Sequence, residues 1–364
     1  MNHIHMNIIQ PDLKLVAWEI TAKCNLNCAH CRLYDDDNER KDELTTQECY
    51  QLIEQIARVS RPVIILTGGE PLCRTDIIDI GRYATERGMR VVVGSNGTLV
   101  TEEAVNKLKT IPISRLSISI DFPNAEKQDE FRGRRGAFVA AMRGIKNAQK
   151  ANIPVQINST ITKLNLPFLN DLVEFALSVG AVAFHPFLLV PTGRGKGLAN
   201  VQLSPDEYEE TLNWIYLKQQ QFKDKMFFKP TDAPQYLRVV YQKNMGDTLS
   251  NGSISKKYEV SDCITRGCLA GTSFCFISST GKVKGCGYLN IEAGDIRKQT
   301  FKQIWEESLL FNQLRNLNNL KGKCGVCEYK IICGGCRARA YEFTGDCLAS
   351  EPDCVYIPDS LNMA

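Results

Sequence analysis

The 364-residue sequence has no apolar run near the roughly 20 residues that a membrane-spanning helix needs. Its charge is almost balanced, because 44 basic and 41 acidic residues leave a formal charge of +3. That balance excludes a polycation that coats nucleic acid. The chain has no internal repeat and no low-complexity tract, and with 43% hydrophobic residues it is not disordered. Its first ten residues lack the basic start and apolar stretch of a secretory signal, so we expect a cytoplasmic protein.

Cysteine is absent from residues 74–262 and crowded on either side of that gap. Five of the 15 cysteines lie between Cys24 and Cys73, and ten lie between Cys263 and Cys354. Because disulfides are disfavoured in a reducing cytosol, clustered cysteines there indicate metal binding. We therefore expect two separate thiolate centres.

The first half of the chain alternates strand patterns with helix patterns. Apolar and β-branched runs predict six strands, at residues 15–20, 63–67, 90–95, 115–120, 155–161 and 182–190. Helical periodicity lies between most of them, as after Thr45, which forms a capping box with Glu48. This alternation predicts an α/β fold with parallel strands, either a doubly wound sheet or a partial barrel. In both, functional residues lie at the C-terminal strand ends.

The pattern changes in the second half. Ser204 and Glu207 predict a capped helix that runs to about residue 222, and residues 243–257 have the polar composition of a linker. A hairpin within 274–289 and a helix near 300–317 precede a cysteine-rich tail. We expect three parts: a barrel over residues 10–200, a connecting helix and linker over 201–258, and a cysteine-rich domain over 259–358.

The first thiolate centre directly follows the first predicted strand. Cys24, Cys28 and Cys31 are separated by three and then two residues, so one loop can wrap a corner of a cubane cluster. Three thiolates leave one iron of a four-iron cluster open, whereas a structural zinc site takes four ligands. Zinc, with His30 or a distant side chain as the fourth ligand, is the alternative.

Polar and glycine-containing motifs end the next strands. The segment Gly68–Pro71 ends the second strand, where glycines let the backbone approach a ligand and the carboxylate of Glu70 can bind an ammonium group. Asn96 ends the third strand, Ser119 lies on the fourth, and Arg132 follows shortly after. Because the C-terminal ends of parallel strands share one edge, these motifs converge on one mouth.

On these motifs, residues 15–190 resemble the radical S-adenosylmethionine (SAM) enzymes. The resemblance implies a partial (β/α)6 TIM-like barrel. It also implies a [4Fe-4S] cluster on Cys24, Cys28 and Cys31, whose open iron binds the amino and carboxylate groups of S-adenosylmethionine. The family's cofactor-binding positions correspond here to Gly68, Gly69, Glu70, Asn96, Ser119, Arg132 and His30. Of these, His30 takes the usually aromatic position near adenine and still offers a π-face.

A second cysteine pattern occupies the tail and resembles a SPASM-type extension, which carries auxiliary iron–sulfur clusters with full protein ligation. The resemblance implies one [4Fe-4S] cluster on Cys324, Cys327, Cys333 and Cys354. It implies another on Cys268, Cys275, Cys286 and Cys336. Two residues separate Cys333 from Cys336, where the family usually has three, so Cys263 or Cys347 could replace a named ligand. A zinc ribbon is the alternative.

Residues 187–197, 266–278, 286–289 and 333–340 narrow the resemblance within the family. They are similar to the radical SAM enzymes that act on Fe-coproporphyrin III in the siroheme-dependent heme pathway. The resemblance implies oxidative decarboxylation of two propionates to vinyl groups, which gives heme b, and an electron donor such as a ferredoxin or flavodoxin. A SPASM-type peptide or protein maturase, and a related enzyme of the pathway that removes acetate groups, are the alternatives.

A substrate with four propionates needs fixed cations, and arginine forks suit carboxylates. Our candidates for substrate binding are Arg194, Arg135 and Arg266, with Arg134, Arg337 and Arg339 also near the expected mouth or the lobe that covers it. His185 on the sixth strand is a candidate contact of the porphyrin iron, although a buried structural histidine is the more common role.

Overall fold

The computed structural model describes residues 7–33, 42–245 and 266–362. Most of the predicted linker at 243–257 lies outside these described residues, and so does Cys263. No helix in the described ranges is long and apolar enough to cross a membrane.

A ten-stranded sheet organises the described chain, in the order β10-β9-β8-β1-β2-β3-β4-β5-β6-β7. β1 to β7 pair in parallel and in chain order. The sheet does not close, because β7 and β10 are its two edges, and its parallel strands paired in chain order have the arrangement of a partial barrel. The strands are β1 Leu15–Glu19, β2 Val63–Thr67, β3 Arg90–Ser95, β4 Ile113–Ser119, β5 Val155–Ile161, β6 Ala183–Leu188, β7 Phe227–Phe228, β8 Phe274–Ile277, β9 Lys282–Lys284 and β10 Glu292–Asp295.

The six predicted parallel strands are confirmed as β1 to β6, with ends that differ by two residues at most. Because β1 to β7 are parallel, their C-terminal ends lie at one edge of the sheet. The α-helices that connect or cover the strands are Thr46–Val59, Ile77–Glu86, Glu102–Leu108, Ala125–Arg132, Ala137–Lys150, Leu169–Ser178, Pro205–Phe222, Tyr236–Met245, Phe301–Glu307, Leu309–Arg315, Gly322–Val326, Arg337–Thr344 and Asp359–Asn362.

Local sequence signals explain where several helices begin. The capping box of Thr45 is present, with the threonine side chain accepting from the Glu48 backbone N–H, and Ser204 forms the same arrangement. The single helix predicted near 300–317 is wrong, because the backbone leaves the helical region at Ser308 and two helices form. The sequence reading also missed the helix Ala125–Arg132, which Asn124 caps.

The face of the sheet that packs against the helices is apolar, and the face toward the inside of the barrel is more polar. Val16, Trp18 and Ile64 are fully buried in one hydrophobic core with the covering helices. Their neighbours alternate to the other face of the sheet, as strand geometry requires. There the paired positions include Glu19 beside Thr67, and Asn158 between Ser119 and His185.

The cysteine-rich part joins the barrel along its edge. β8 pairs in parallel with β1, and β8 and β9 form the predicted antiparallel hairpin. The guanidinium of Arg32, beside Cys31, lies 4.5 Å over the ring of Phe276 on β8. The two thiolate regions therefore meet across the first strand of the barrel.

Candidate functional site

The end of β2 lies directly against the residues that lead into the first cysteine loop. The backbone N–H of Gly69 donates to the Thr21 carbonyl, and that of Glu70 donates to the Lys23 carbonyl, each at 2.8 Å. A Cβ on Gly69 would lie 2.7 Å from the Ala22 carbonyl oxygen and even closer to that of Lys23. This approach requires glycine, and it fixes the chain immediately before Cys24.

Glu70 turns its carboxylate into the protein. The residue is fully buried, and it accepts from the Asn96 backbone N–H at 2.7 Å, the Ser95 hydroxyl at 2.9 Å and the Leu72 backbone N–H at 3.2 Å. Burial outweighs these donors and raises the pKa of Glu70 to about 7. The carboxylate thus ties the end of β2 to the end of β3, and its oxygens already have protein donors.

Asn96 links the end of β3 to the cysteine loop. Its Nδ2 donates to Asn25 Oδ1 at 2.9 Å and lies 3.9 Å from the sulfur of Cys24. Its Oδ1 accepts from the Thr98 hydroxyl at 2.6 Å. Because both the nitrogen and the oxygen of the side-chain amide form hydrogen bonds, the Asn96 side chain is fixed and orients the loop around Cys24.

Arg132 joins the fourth strand to the second cysteine. Its guanidinium forms a buried ion pair with Asp121, and its Nη1 lies 3.8 Å from Cys28 Sγ. Asp121 is fully buried and also accepts from the Thr160 backbone N–H at 2.8 Å. Burial is the largest single effect and lowers the pKa of Arg132, but the neighbouring Asp121 and Cys28 together outweigh it and raise the pKa overall. Arg132 therefore stays a cation beside the sulfur.

His30 and Ser119 face the same site from two sides. The ring of His30 stacks on Phe131 with centroids 4.5 Å apart, and its buried Nδ1 has no hydrogen-bond partner among the described residues. Burial lowers the pKa of His30 to about 4, so the ring is neutral at pH 7. Ser119 pairs with Asn158, which places it on the inner face of the barrel. The structure thus gathers all the predicted cofactor-binding residues at one end of the barrel.

The three thiols fit a multi-iron cluster. N–H donors point at the sulfurs: the Leu26 backbone N–H, for example, donates to Cys24 Sγ at 3.4 Å. Hydrogen bonds of this kind stabilise cysteine sulfurs that ligate an iron–sulfur cluster. Burial raises the pKa of Cys24 to about 11 and raises that of Cys28, so only a bound cation would hold both as thiolates. In the described ranges, no three or more His, Cys, Asp or Glu side chains are grouped to hold a single metal ion.

The tail brings four cysteines around one small cavity, lined by Cys324, Cys327, Cys333 and Cys354. The pKa of Cys327 is raised to about 11, mainly by burial, and the charges of Glu328, Cys324 and Cys354 contribute to that rise. Positive φ angles at Gly334 and Gly335 form the turn, and a Cβ on Gly335 would touch Cys324 Sγ at 3.0 Å. These are the four residues implied for one auxiliary cluster.

A second group of thiols contains Cys268, Cys286 and Cys336. Burial is the largest cause of the raised pKa of both Cys286, at about 12, and Cys336, and the charge of Cys268 contributes to each. Cys268 has the same effect on Cys347, which is 6% exposed. Cys347 therefore lies beside this group and offers a fourth thiol among the described residues.

Cys275 is placed apart from that group. It lies in β8 opposite Val16, fully buried within the hydrophobic core, and its neighbour Phe276 faces the other side toward Arg32. Burial raises its pKa, and the charge of Arg315 offsets part of that rise. The alternation of the strand explains this separation, because adjacent residues point to opposite faces.

The candidate arginines have different surroundings. Arg194 donates from Nε to the Cys28 carbonyl at 3.2 Å, and Arg135 is exposed near the same loop. Arg266 is 5% exposed, donates to the Lys330 carbonyl at 3.1 Å and lies near Cys268 and Cys333. Arg337 donates to the carbonyls of Cys347 and Ala349.

The sequence reading missed a buried ion pair between the two thiolate regions. The Nη2 atom of Arg32 lies 2.7 Å from the Oε2 atom of Glu19, which makes an ion pair. Burial lowers the pKa of Arg32, but the charges of Glu19 and Tyr288 outweigh it and raise the pKa overall. An arginine directly after the third cysteine, and a glutamate at the end of an apolar strand, are the signals that could have indicated the pair. His185 lies on the inner face of β6, and its buried Nε2 has no hydrogen-bond partner in the part of the chain that the structure describes.

Comparison with known proteins gives two family matches and several relatives. The Radical SAM superfamily matches residues 18–176, and the SPASM iron–sulfur cluster-binding domain matches residues 268–329. The chain is 48% identical to an AdoMet-dependent heme synthase of Methanosarcina barkeri, over 95% of this chain and 97% of that one. It is 45% identical to one of Nitratidesulfovibrio vulgaris, with 96% and 94% covered.

More distant similarities agree with the fold. A Fe-coproporphyrin III synthase of M. barkeri is 31% identical over 93% of this chain and 87% of that one. Streptococcus suis SuiB bound to S-adenosylmethionine superimposes with a TM-score of 0.70 at 17% identity, covering 98% of this chain and 79% of that one. At that identity the likeness shows the fold alone.

Proposed function

Because the chain belongs to the radical SAM superfamily, among the SPASM-containing members that include the AdoMet-dependent heme synthases, we propose that it converts two propionates of Fe-coproporphyrin III to vinyl groups, giving heme b. The observation that carries the proposal is the 48% identity to such a synthase across 95% of this chain. The geometry of the first thiolate site is consistent with it.

Cys24, Cys28 and Cys31 would hold the [4Fe-4S] cluster. When bound, the cluster and S-adenosylmethionine together supply a 5′-deoxyadenosyl radical that can take a hydrogen atom. Arg132 places a fixed positive charge beside Cys28, where it offsets the thiolate and the cofactor carboxylate. His30 presents a neutral ring for an adenine to stack on.

The oxidation balances with one further electron acceptor. Removal of a hydrogen atom from a propionate β-carbon, followed by loss of CO2, leaves a vinyl group and one electron. The thiols of the tail provide the places for acceptors: Cys324, Cys327, Cys333 and Cys354 for one auxiliary cluster, and Cys268, Cys286 and Cys336 with a fourth ligand for the other. The Arg32–Glu19 ion pair lies between the two thiolate regions.

Cations at the mouth of the barrel would bind the propionates. Arg194 is supported by its position against the Cys28 carbonyl, and Arg135 by its exposure on the neighbouring loop. Arg266 is also proposed, because its buried Nε has no hydrogen-bond partner within the described ranges. We further propose that an acidic one-electron donor of the ferredoxin or flavodoxin type reduces the first cluster. The proposed compartment is the cytoplasm, because a reducing compartment preserves clustered thiols.

Anaerobic incubation of the reconstituted protein with Fe-coproporphyrin III, S-adenosylmethionine and a reductant tests the proposal. We expect two successive mass losses, each equal to CO2 plus two hydrogen atoms. The Cys28→Ala variant should form neither product nor 5′-deoxyadenosine. As a matched control, Cys49→Ala removes a thiol that is fully buried in the barrel core, away from the cysteine loop, and should retain both.

An unchanged porphyrin with active 5′-deoxyadenosine formation would contradict the proposed substrate. That result would favour a peptide maturase. The related enzyme of the pathway would also leave Fe-coproporphyrin III unchanged, but in a parallel incubation it would remove acetate groups from an acetate-bearing precursor. A colourless protein that binds zinc but no iron would contradict the radical chemistry as well.

A further inference from the structure

The guanidinium of Arg339 joins separate segments of the chain at the centre of the molecule. Arg339 is 0% exposed and lies in the helix Arg337–Thr344. Its Nη2 donates to the carbonyls of Leu188 at 3.3 Å and Leu189 at 3.2 Å, at the end of β6. The same nitrogen donates to the Asp232 carbonyl at 3.2 Å, and the Tyr208 ring lies 5.0 Å away.

Two buried carboxylates of the tail face this guanidinium. Nη1 lies 3.3 Å from Glu351 Oε1, and Nε lies 3.0 Å from Asp353 Oδ2. The carboxylates are 1% and 6% exposed. Because desolvation offsets much of the attraction in such a buried group, its presence argues for fixed geometry more than for stability.

The same network contacts the thiols of both auxiliary sites. The backbone N–H of Cys336 donates to Glu351 Oε2 at 2.6 Å, and the backbone N–H of Glu351 donates to Cys324 Sγ at 3.4 Å. The backbone N–H of Arg339 donates to Cys336 Sγ at 3.4 Å. One network thus connects the end of β6 to a cysteine of each auxiliary group.

We propose that Arg339 is a positioning residue, which with Glu351 holds the two auxiliary clusters at a fixed distance from the C-terminal end of β6. An electron that leaves the substrate in the barrel must cross this distance. The inference rests on the proposed function, because it assigns the auxiliary clusters as acceptors.

The experiment compares Arg339→Lys with Arg315→Lys in the reconstituted full chain. Arg315 is a matched control, because it is also buried in the cysteine-rich lobe and donates to the carbonyls of Gly271 and Trp305. Two quantities are measured: the reduction potentials of the auxiliary clusters, by EPR-monitored titration, and the 5′-deoxyadenosine formed per vinyl group. We expect Arg339→Lys to shift the potentials and raise the ratio severalfold, and Arg315→Lys to change neither.

A purely structural role for Arg339 would give both variants a lower melting temperature with potentials and ratio as in wild type, and that result overturns the proposal. If Arg339→Lys does not fold, Asp353→Asn provides the same comparison, because it removes one charge and keeps the shape of the side chain. Absence of decarboxylation in the wild type would refute the proposed function alone, since the potentials can still be compared.

Discussion

Replacing Gly69 with alanine tests the close approach that fixes the first cysteine loop. The new Cβ would lie 2.7 Å from the Ala22 carbonyl oxygen and closer still to that of Lys23. Both are backbone atoms that cannot rotate away, so the end of β2 must move. The movement stretches two hydrogen bonds of 2.8 Å, from Gly69 to Thr21 and from Glu70 to Lys23.

The expected loss of stability is about 2–6 kcal/mol, from overpacking at about 1–3 kcal/mol and two weakened hydrogen bonds at about 0.5–1.5 kcal/mol each. Because Cys24 follows Lys23, we also expect the variant to lose the iron of one cluster. Iron content after anaerobic reconstitution, and 5′-deoxyadenosine formation, measure this. Gly94→Ala on the neighbouring strand is the control, since its Cβ would lie 3.5 Å from Thr67 Oγ1, an ordinary contact. Full iron content and cofactor cleavage in Gly69→Ala would refute the reasoning.

Three further predictions concern charge and ligation. The folded-state pKa of Glu70 is about 7, above its ordinary value of 4.5, so the contribution of its protonated carboxyl to stability is full below about pH 4.5 and is lost as the pH rises through 7. The Glu70→Gln variant should remove this loss of about 3 kcal/mol from the pH dependence of denaturation. A pH profile unchanged from wild type would contradict this prediction. Asp121→Asn should destabilise the protein by about 3–5 kcal/mol in denaturant titration by leaving a buried cation unpaired, whereas Glu103→Gln at an exposed pair should leave the denaturation midpoint nearly unchanged. Cys275→Ala should keep the wild-type iron content while Cys286→Ala lowers it; equal iron loss in both would place Cys275 among the ligands.

Local patterns were enough to predict the parallel strands and the edge at which their functional residues lie, whereas the family resemblance favoured a barrel over a doubly wound sheet. The strand runs, the capping boxes at Thr45 and Ser204, and the spacing of Cys24, Cys28 and Cys31 all depend on residues close in sequence. Parallel pairing then gathers the strand ends, so the positions of Asn96 and Arg132 along the chain suffice to predict that both lie near that loop. The family resemblance rests on the same short motifs, and the comparisons confirm it.

The sequence by itself determined the six parallel strands, several helix starts and the cysteine loop, because periodicity and turn chemistry are local properties. The tertiary structure alone decided which side chains meet across long distances in the chain. Strand alternation turns Cys275 into the core, and folding of the tail brings Glu351 to Arg339 and Arg339 to the end of β6. The partners of a buried charge depend on packing between segments that lie more than 100 residues apart in the chain, as Arg339 and Leu188 do. The spacing of residues along the sequence cannot reveal such contacts.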